Sequence, residues 1–220
     1  MEKKSKSDWT LDPEKYLSKK RAARLVATAK SLADQAILKG GKIPYRNHFV
    51  ICLALSTGLR VMEISRLKCG DLFLDEEPSC VLVRRGKGNK RRLVQISRQF
   101  RKQCEEYLNW KGTLGEPICP DAPLILSSNT KRHLTTRALQ NAFKKVALLS
   151  KLPSHYSIHC LRHTYACLLY KASNYNLRLV QKQLGHANAK TTQVYADVMA
   201  PDMTKAVEKL WSYKRYLGKT

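Results

Sequence analysis

From Phe49 to Leu55 the chain reads Phe-Val-Ile-Cys-Leu-Ala-Leu, a run with no polar side chain, inside a helix-length segment from Tyr45 to Ser56. A helix that is apolar on every side cannot lie on a surface and has to be enclosed by other elements. Gly58 stands directly behind this run and breaks it, and Val61 to Leu67 resumes with an apolar stripe of Val61, Ile64 and Leu67. The chain must therefore wrap a buried helix, and 220 residues are enough for one substantial domain that does so.

The enclosing elements are legible around it. Ser18 is placed to cap a helix running to about Leu38, with Ala22, Leu25, Val26, Ala29, Leu32, Ala33, Ala36 and Ile37 at helical spacing, and Gly40-Gly41 ends it. Leu72-Phe73-Leu74, Cys80 to Arg84, and Arg91 to Ile96 read as strands, and a Gly- and Asn-containing loop joins the last two as a hairpin. Leu124-Ile125-Leu126 reads as a further short strand. Helices are expected from Gln99 to Lys111, from Thr135 or Thr136 to about Leu149, and from Ser157 or Ile158 to about Lys171. Asn176 caps a helix from Leu177 to Leu184 that Gly185 ends, and Asn188 caps a helix carrying Tyr195. The fold class is mainly α with a small antiparallel β-sheet or hairpin, an α+β arrangement. Residues 1–17 read as a flexible basic arm, 18–200 as the domain, and 201–220 as a C-terminal helix with Ala206, Val207, Leu210 and Trp211 on one side.

The formal charge is +24, from 41 Lys and Arg against 17 Asp and Glu. Such an excess repels itself in a compact state unless a polyanion offsets it, and nucleic acid is the default partner. Six of the nine residues from Arg84 to Arg92 are basic, crowded on a tight turn. Arg84, Arg85, Lys90, Arg91 and Arg92 are accordingly candidates for phosphate contact. No segment reads as a basic amphipathic anchor and no window approaches a membrane span, which sets an anionic membrane aside. Met1-Glu-Lys-Lys-Ser-Lys has no apolar run behind it, so no signal peptide is expected. The cysteines at 52, 69, 80, 104, 119, 160 and 167 form no CxxC pair, and reduced thiols in a cytoplasmic protein are expected.

The chemistry concentrates in His159-Cys160-Leu161-Arg162-His163, Leu184-Gly185-His186, Tyr195, and Arg60 after Thr57-Gly58-Leu59. A phosphodiester under attack gathers negative charge on its non-bridging oxygens, which fixed cationic donors stabilise. Arginine suits that task because its planar fork grips two oxygens and keeps its proton. His159 and Arg162 are three apart, so a helix presents both to one side. His159 and His163 also have the i, i+4 spacing of a metal pair, but the glutamate of HExxH is missing and an arginine lies between them. No metal and no cofactor are expected, and His163 reads as a supporting or structural histidine.

In order and spacing these residues resemble the tyrosine recombinase (phage integrase) family. The matching stretches are Thr57-Gly58-Leu59-Arg60-Val-Met-Glu63-Ile64, Gly86-Lys87-Gly88-Asn89-Lys90, His159-Cys-Leu161-Arg162-His163-Thr164, Leu184-Gly185-His186, and Tyr195 nine residues later. The resemblance implies site-specific cutting and rejoining of DNA, as integration, excision or inversion. Arg60 and Arg162 would clamp the scissile phosphate and Tyr195 would form a 3′-phosphotyrosine. Lys87 would protonate the leaving 5′-oxygen, His159 would act in proton transfer, and His186 would bond the phosphate. Glu63 would orient a catalytic side chain.

Many members carry an extra N-terminal DNA-binding domain. With so little chain before the first helix, this sequence resembles the compact members such as the fimbrial phase-variation invertases, the alternative being a fragment of a longer chain. Ala189 stands where an apolar β-branched residue is common, which suggests looser packing of the tyrosine helix. The family further implies double-stranded DNA as partner, a homo-tetramer on that DNA with the tail helix docking on a neighbour, room for an accessory DNA-bending protein, and a cytoplasmic, nucleoid-associated location. A type IB topoisomerase shares the cleavage chemistry, and a DNA-binding regulator could keep the fold. The retained Arg60, Arg162 and Tyr195 speak against the regulator.

Overall fold

The structure is a computed structural model that describes residues 13–84, 91–186 and 190–198. Its helices are α1 (Lys19–Ile37), α2 (Ile43–Thr57), α3 (Val61–Ser65), α4 (Arg98–Thr113), α5 (Thr136–Leu149), α6 (His159–Ala172), α7 (Leu177–Leu184) and α8 (Lys190–Val198). Strands β1 (Leu72–Phe73), β2 (Cys80–Val83) and β3 (Arg92–Gln95) form one antiparallel sheet in the order β1-β2-β3.

Helix α2 is the enclosed helix that its sequence demands. Phe49, Val50, Ile51, Cys52, Leu53 and Ala54 are all buried, and α1, α3, α4, α5 and α6 pack around them. Each large apolar side chain so buried contributes roughly 1.5–3 kcal/mol relative to exposure. Phe49 stacks on Tyr107 of α4 with ring centroids 3.7 Å apart. The ends of the helices obey their local chemistry. Ser18, Ser97, Thr135 and Asn176 each accept a backbone N–H from the first turn of the helix they precede.

Gly58 ends α2 at φ 62°, in the left-handed region. A β-carbon there would lie 2.3 Å from Tyr165 Cδ1 and 2.9 Å from Leu184 Cδ2. Only glycine permits both the turn and the approach of α6 and α7. A second apolar cluster forms where these helices meet α8, from Ala166, Cys167, Tyr170, Val180, Leu184, Val194 and Tyr195.

Two expectations change. Leu124, Ile125 and Leu126 are buried but form no strand: only single bridges join Lys68 to Pro123 and Leu126 to His133. The segment threads between two neighbours, with Leu124 N–H on the Leu67 carbonyl and Ile125 carbonyl on Leu134 N–H, so no continuous ladder develops. The end of the basic arm is also docked rather than loose. Leu17 is 1% exposed, and its N–H donates to Thr164 Oγ1 at 2.8 Å. An apolar side chain and a backbone donor both find partners there. The rest of the arm before residue 13, the cap Asn188, Ala189 and the tail helix lie outside the described residues. All seven cysteines are free thiols, with Cys119 exposed and the other six buried. Among the described residues no helix is long and apolar enough to cross a membrane.

Candidate active site

Arg162 draws the site together. It lies one turn into α6 and is 7% exposed. Its Nη1 donates to the Gly58 carbonyl, and its Nη2 donates to the Leu184 carbonyl at 2.9 Å. Gly58 caps the end of α2 and Leu184 is the last residue of α7, so both acceptors carry the partial negative charge of a helix C-terminus. A buried guanidinium needs such partners. One side chain thereby pins the Thr57-Gly58-Leu59-Arg60 stretch and the Leu184-Gly185-His186 stretch to the His159–Arg162 turn.

His186 Nε2 stands 2.9 Å from Arg162 Nη2, and its Nδ1 stands 2.9 Å from Thr192 Oγ1. Arginine only donates, so Nε2 accepts and Nδ1 carries the proton toward Thr192. Burial, followed by the charges of Arg162, Arg60 and Arg92, lowers the His186 pKa to about 3 and keeps the ring neutral. The His186 and Tyr195 rings lie nearly parallel, 10° apart, with centroids at 6.5 Å.

Glu63 serves the other arginines. Its carboxylate accepts the Arg60 backbone N–H at 2.8 Å and Arg60 Nη1 at 3.0 Å. Burial alone would raise its pKa, but hydrogen bonding and charge from Arg92, the Arg60 N–H and the charge of Arg162 together hold it below the usual value. Three guanidiniums around one buried carboxylate leave an excess of positive charge, the condition for holding an anion.

Tyr195, on α8, is 1% exposed, and its Oη lies 3.1 Å from His163 Nδ1. Burial raises the phenol pKa to about 12, against the opposing pull of Arg162 and Arg60. The His163 pKa falls to about 4, through burial first and then the charges of Arg162, His159 and Lys15. His163 is therefore not merely structural, since it holds the phenol. His159 is exposed and lines a small cavity with His155 and His163, and burial of part of its ring, Arg162 and Arg60 lower its pKa.

Arg60, Glu63, His159, His163, Arg162, His186 and Tyr195 thus meet in one region. Lys87, Arg85 and Lys90 lie outside the described residues. Of the other phosphate candidates, Arg91 is exposed and Arg84 pairs through Nε with the buried carboxylate of Asp71. Arg92 departs from expectation: it turns inward onto Glu63, because a buried carboxylate recruits the nearest cation. Thr192 was not picked out by sequence, although it stands three residues before Tyr195, on the same helix face. Among the described residues no group of three or more His, Cys, Asp or Glu is arranged to hold a metal ion.

Known proteins resemble this chain in sequence and in fold. The model of the phage integrase family matches residues 15–201. The chain is 34% identical over 170 residues to tyrosine recombinase XerC of Caldanaerobacter subterraneus, covering 77% of this chain and 46% of that protein. It is 31% identical over 204 residues to tyrosine recombinase XerD of Rickettsia conorii, covering 90% of this chain and 66% of that one. Its fold matches the crystal structure of the XerH site-specific recombinase in a post-cleavage complex with palindromic difH substrate, with a TM-score of 0.70 at 25% identity, covering 90% of this chain and 53% of XerH. The chain spans between about half and two thirds of the length of these relatives.

Proposed function

We propose, from the premise that the chain belongs to the phage integrase family, that it is a tyrosine site-specific recombinase that cleaves and rejoins DNA. The observation that carries this reading is the meeting of Arg60, Arg162 and His186 with a buried tyrosine on α8, around an excess of positive charge. The XerH relative bound to its difH DNA adds support from outside the chain.

In the proposed reaction Arg60 and Arg162 hold the non-bridging oxygens of the scissile phosphate. His186 joins them when its proton moves from Nδ1 to Nε2, which then releases Arg162 and donates to a phosphate oxygen. Tyr195 Oη attacks phosphorus, the bond to O5′ breaks, and a 3′-phosphotyrosine forms. The phenol proton leaves to an imidazole: His163 holds Oη, and His159 is the second candidate. Lys87 supplies the proton that the departing O5′ takes up. One phosphodiester is exchanged for another, so the step is close to energy-neutral and rejoining is its reversal. Neighbouring cations are required because a phenol titrating near 12 is a weak nucleophile at neutral pH. We further propose that four copies assemble on DNA, with residues 201–220 of each docking on a neighbour.

A nicked suicide substrate tests the reading. Wild type should form a denaturant-stable adduct at the 3′ phosphate, and Tyr195→Phe should form none. DNA binding by both without any adduct, on DNA taken from the flanks of the native gene, would favour a regulator.

A further inference from the structure

Arg92 sits on β3, paired with Val83 of β2. Side chains alternate along a strand, so Arg92 shares a face with buried Val94, while Leu93 and Gln95 point to solvent. From there it passes against Gly185. A β-carbon at Gly185 would lie 2.5 Å from Arg92 Cδ and 2.8 Å from its Nε. The guanidinium then closes on both oxygens of Glu63, Nη1 to Oε1 at 2.8 Å and Nη2 to Oε2 at 2.9 Å. Its side chain is 12% exposed, and Nε has no hydrogen-bond partner among the described residues. The fork on Glu63 is therefore what holds it.

The same carboxylate holds Arg60 through one side-chain bond and one backbone bond. A carboxylate gripped by a planar fork is fixed in rotation as well as in place. Held by Arg60 alone, Glu63 could turn, or take the Arg60 fork wholly to itself and withdraw it from solvent. We propose that Arg92 is a positioning residue for the cleavage reaction: it locks Glu63 so that Arg60 faces the phosphate, and it does not touch DNA. The proposal rests on the recombinase reading, and its consequences differ from those of the phosphate contact that the sequence suggests.

The test uses Arg92→Gln, Arg92→Lys, Glu63→Gln and the double variant Glu63→Gln/Arg92→Gln. DNA affinity is followed across salt concentrations, and single-turnover cleavage is followed at saturating DNA. Both Arg92 variants should bind DNA within about twofold of wild type with an unchanged salt slope, yet cleave at least roughly tenfold more slowly. Lysine should not rescue, because it keeps the charge but lacks the fork. The double variant should cleave no more slowly than the worse single one. A salt slope reduced by about one would make Arg92 a phosphate contact and overturn the proposal. Full rescue by lysine, or additive losses in the double variant, would overturn it too.

If Arg92→Gln does not fold, Arg92→Lys carries the same comparison. A readout free of cleavage separates this proposal from the reaction itself. The Arg60 Nε–H resonance should shift or broaden in Arg92→Lys. If wild type forms no adduct, the recombinase reading fails, and an unmoved Arg60 resonance still refutes the positioning role.

Discussion

Arg162 and His186 are joined by a 2.9 Å hydrogen bond whose direction chemistry fixes, with the guanidinium donating and the imidazole accepting through Nε2. Protonating His186 would put two donors face to face beside three arginines.

This gives folding a pH dependence. The His186 pKa is held at about 3 and that of His163 at about 4, both by burial first and by Arg162 next, below the unfolded value of 6.5. Above pH 6.5 both rings are neutral in either state and folding is unaffected. As pH falls below 6.5 the unfolded chain takes up protons that the folded one refuses, so stability drops through that window. A loss on the order of 2 kcal/mol between pH 7 and pH 5 is expected, after discounting for partial exposure. Denaturant midpoints at the two pH values measure it. His186→Asn should flatten the dependence, and an equally steep variant would refute this origin.

Gly58 invites a paired substitution with Gly40. Both have left-handed backbone, with φ 62° and 69°, but a β-carbon at Gly40 meets nothing within 4 Å. Gly40→Ala should cost about 1 kcal/mol, the backbone penalty alone. Gly58→Ala should cost about 2–4 kcal/mol, because Tyr165 and Leu184 must also move. Equal losses in denaturant titration would show that the α2–α6–α7 junction yields without strain.

Salt separates the basic residues around the hairpin. Both Arg91 and Arg84 are exposed, but Arg84 is committed to an ion pair with Asp71. Arg91→Ala should reduce the slope of log affinity for DNA against log salt by about one. Arg84→Ala should leave that slope nearly unchanged and instead lower stability by about 1–3 kcal/mol, because it strips a partner from the buried Asp71 carboxylate. Matching slopes would mean that the ion pair opens on DNA.

Local rules made most of the helices legible in the sequence. Ser18 and Asn176 cap where their side chains can reach backbone donors, and the apolar run in α2 is buried as its composition requires. The motif residues of the site could be named because each carries its own chemistry. What the sequence hid was direction. Arg92 looked like one more cation of a basic turn, and only the strand register put it on the Val94 face. The alternation Arg92-Leu93-Val94-Gln95 held that signal, but a basic run masked it. Leu124–Leu126 failed for the opposite reason: its composition suits a strand, while its backbone partners come from two separate neighbours. His163 could not be linked to Tyr195 at all, because that contact spans 32 residues and depends on how α6 and α8 cross.

That contact yields a last prediction, independent of DNA. His163→Leu should leave the Tyr195 hydroxyl buried without this acceptor or donor, at a cost of about 1–3 kcal/mol. Tyr195→Phe should cost less, because it leaves His163, which is only partly buried, nearer to water. If the two side chains act as a pair, the double variant should be more stable than the sum of the single losses by about 1 kcal/mol, since removing both partners leaves neither member of this contact unmet. Denaturant unfolding of the four proteins gives the coupling directly. Strict additivity would mean that the 3.1 Å contact contributes nothing to holding Tyr195, and that α8 is kept in place by Val194 and its apolar neighbours alone.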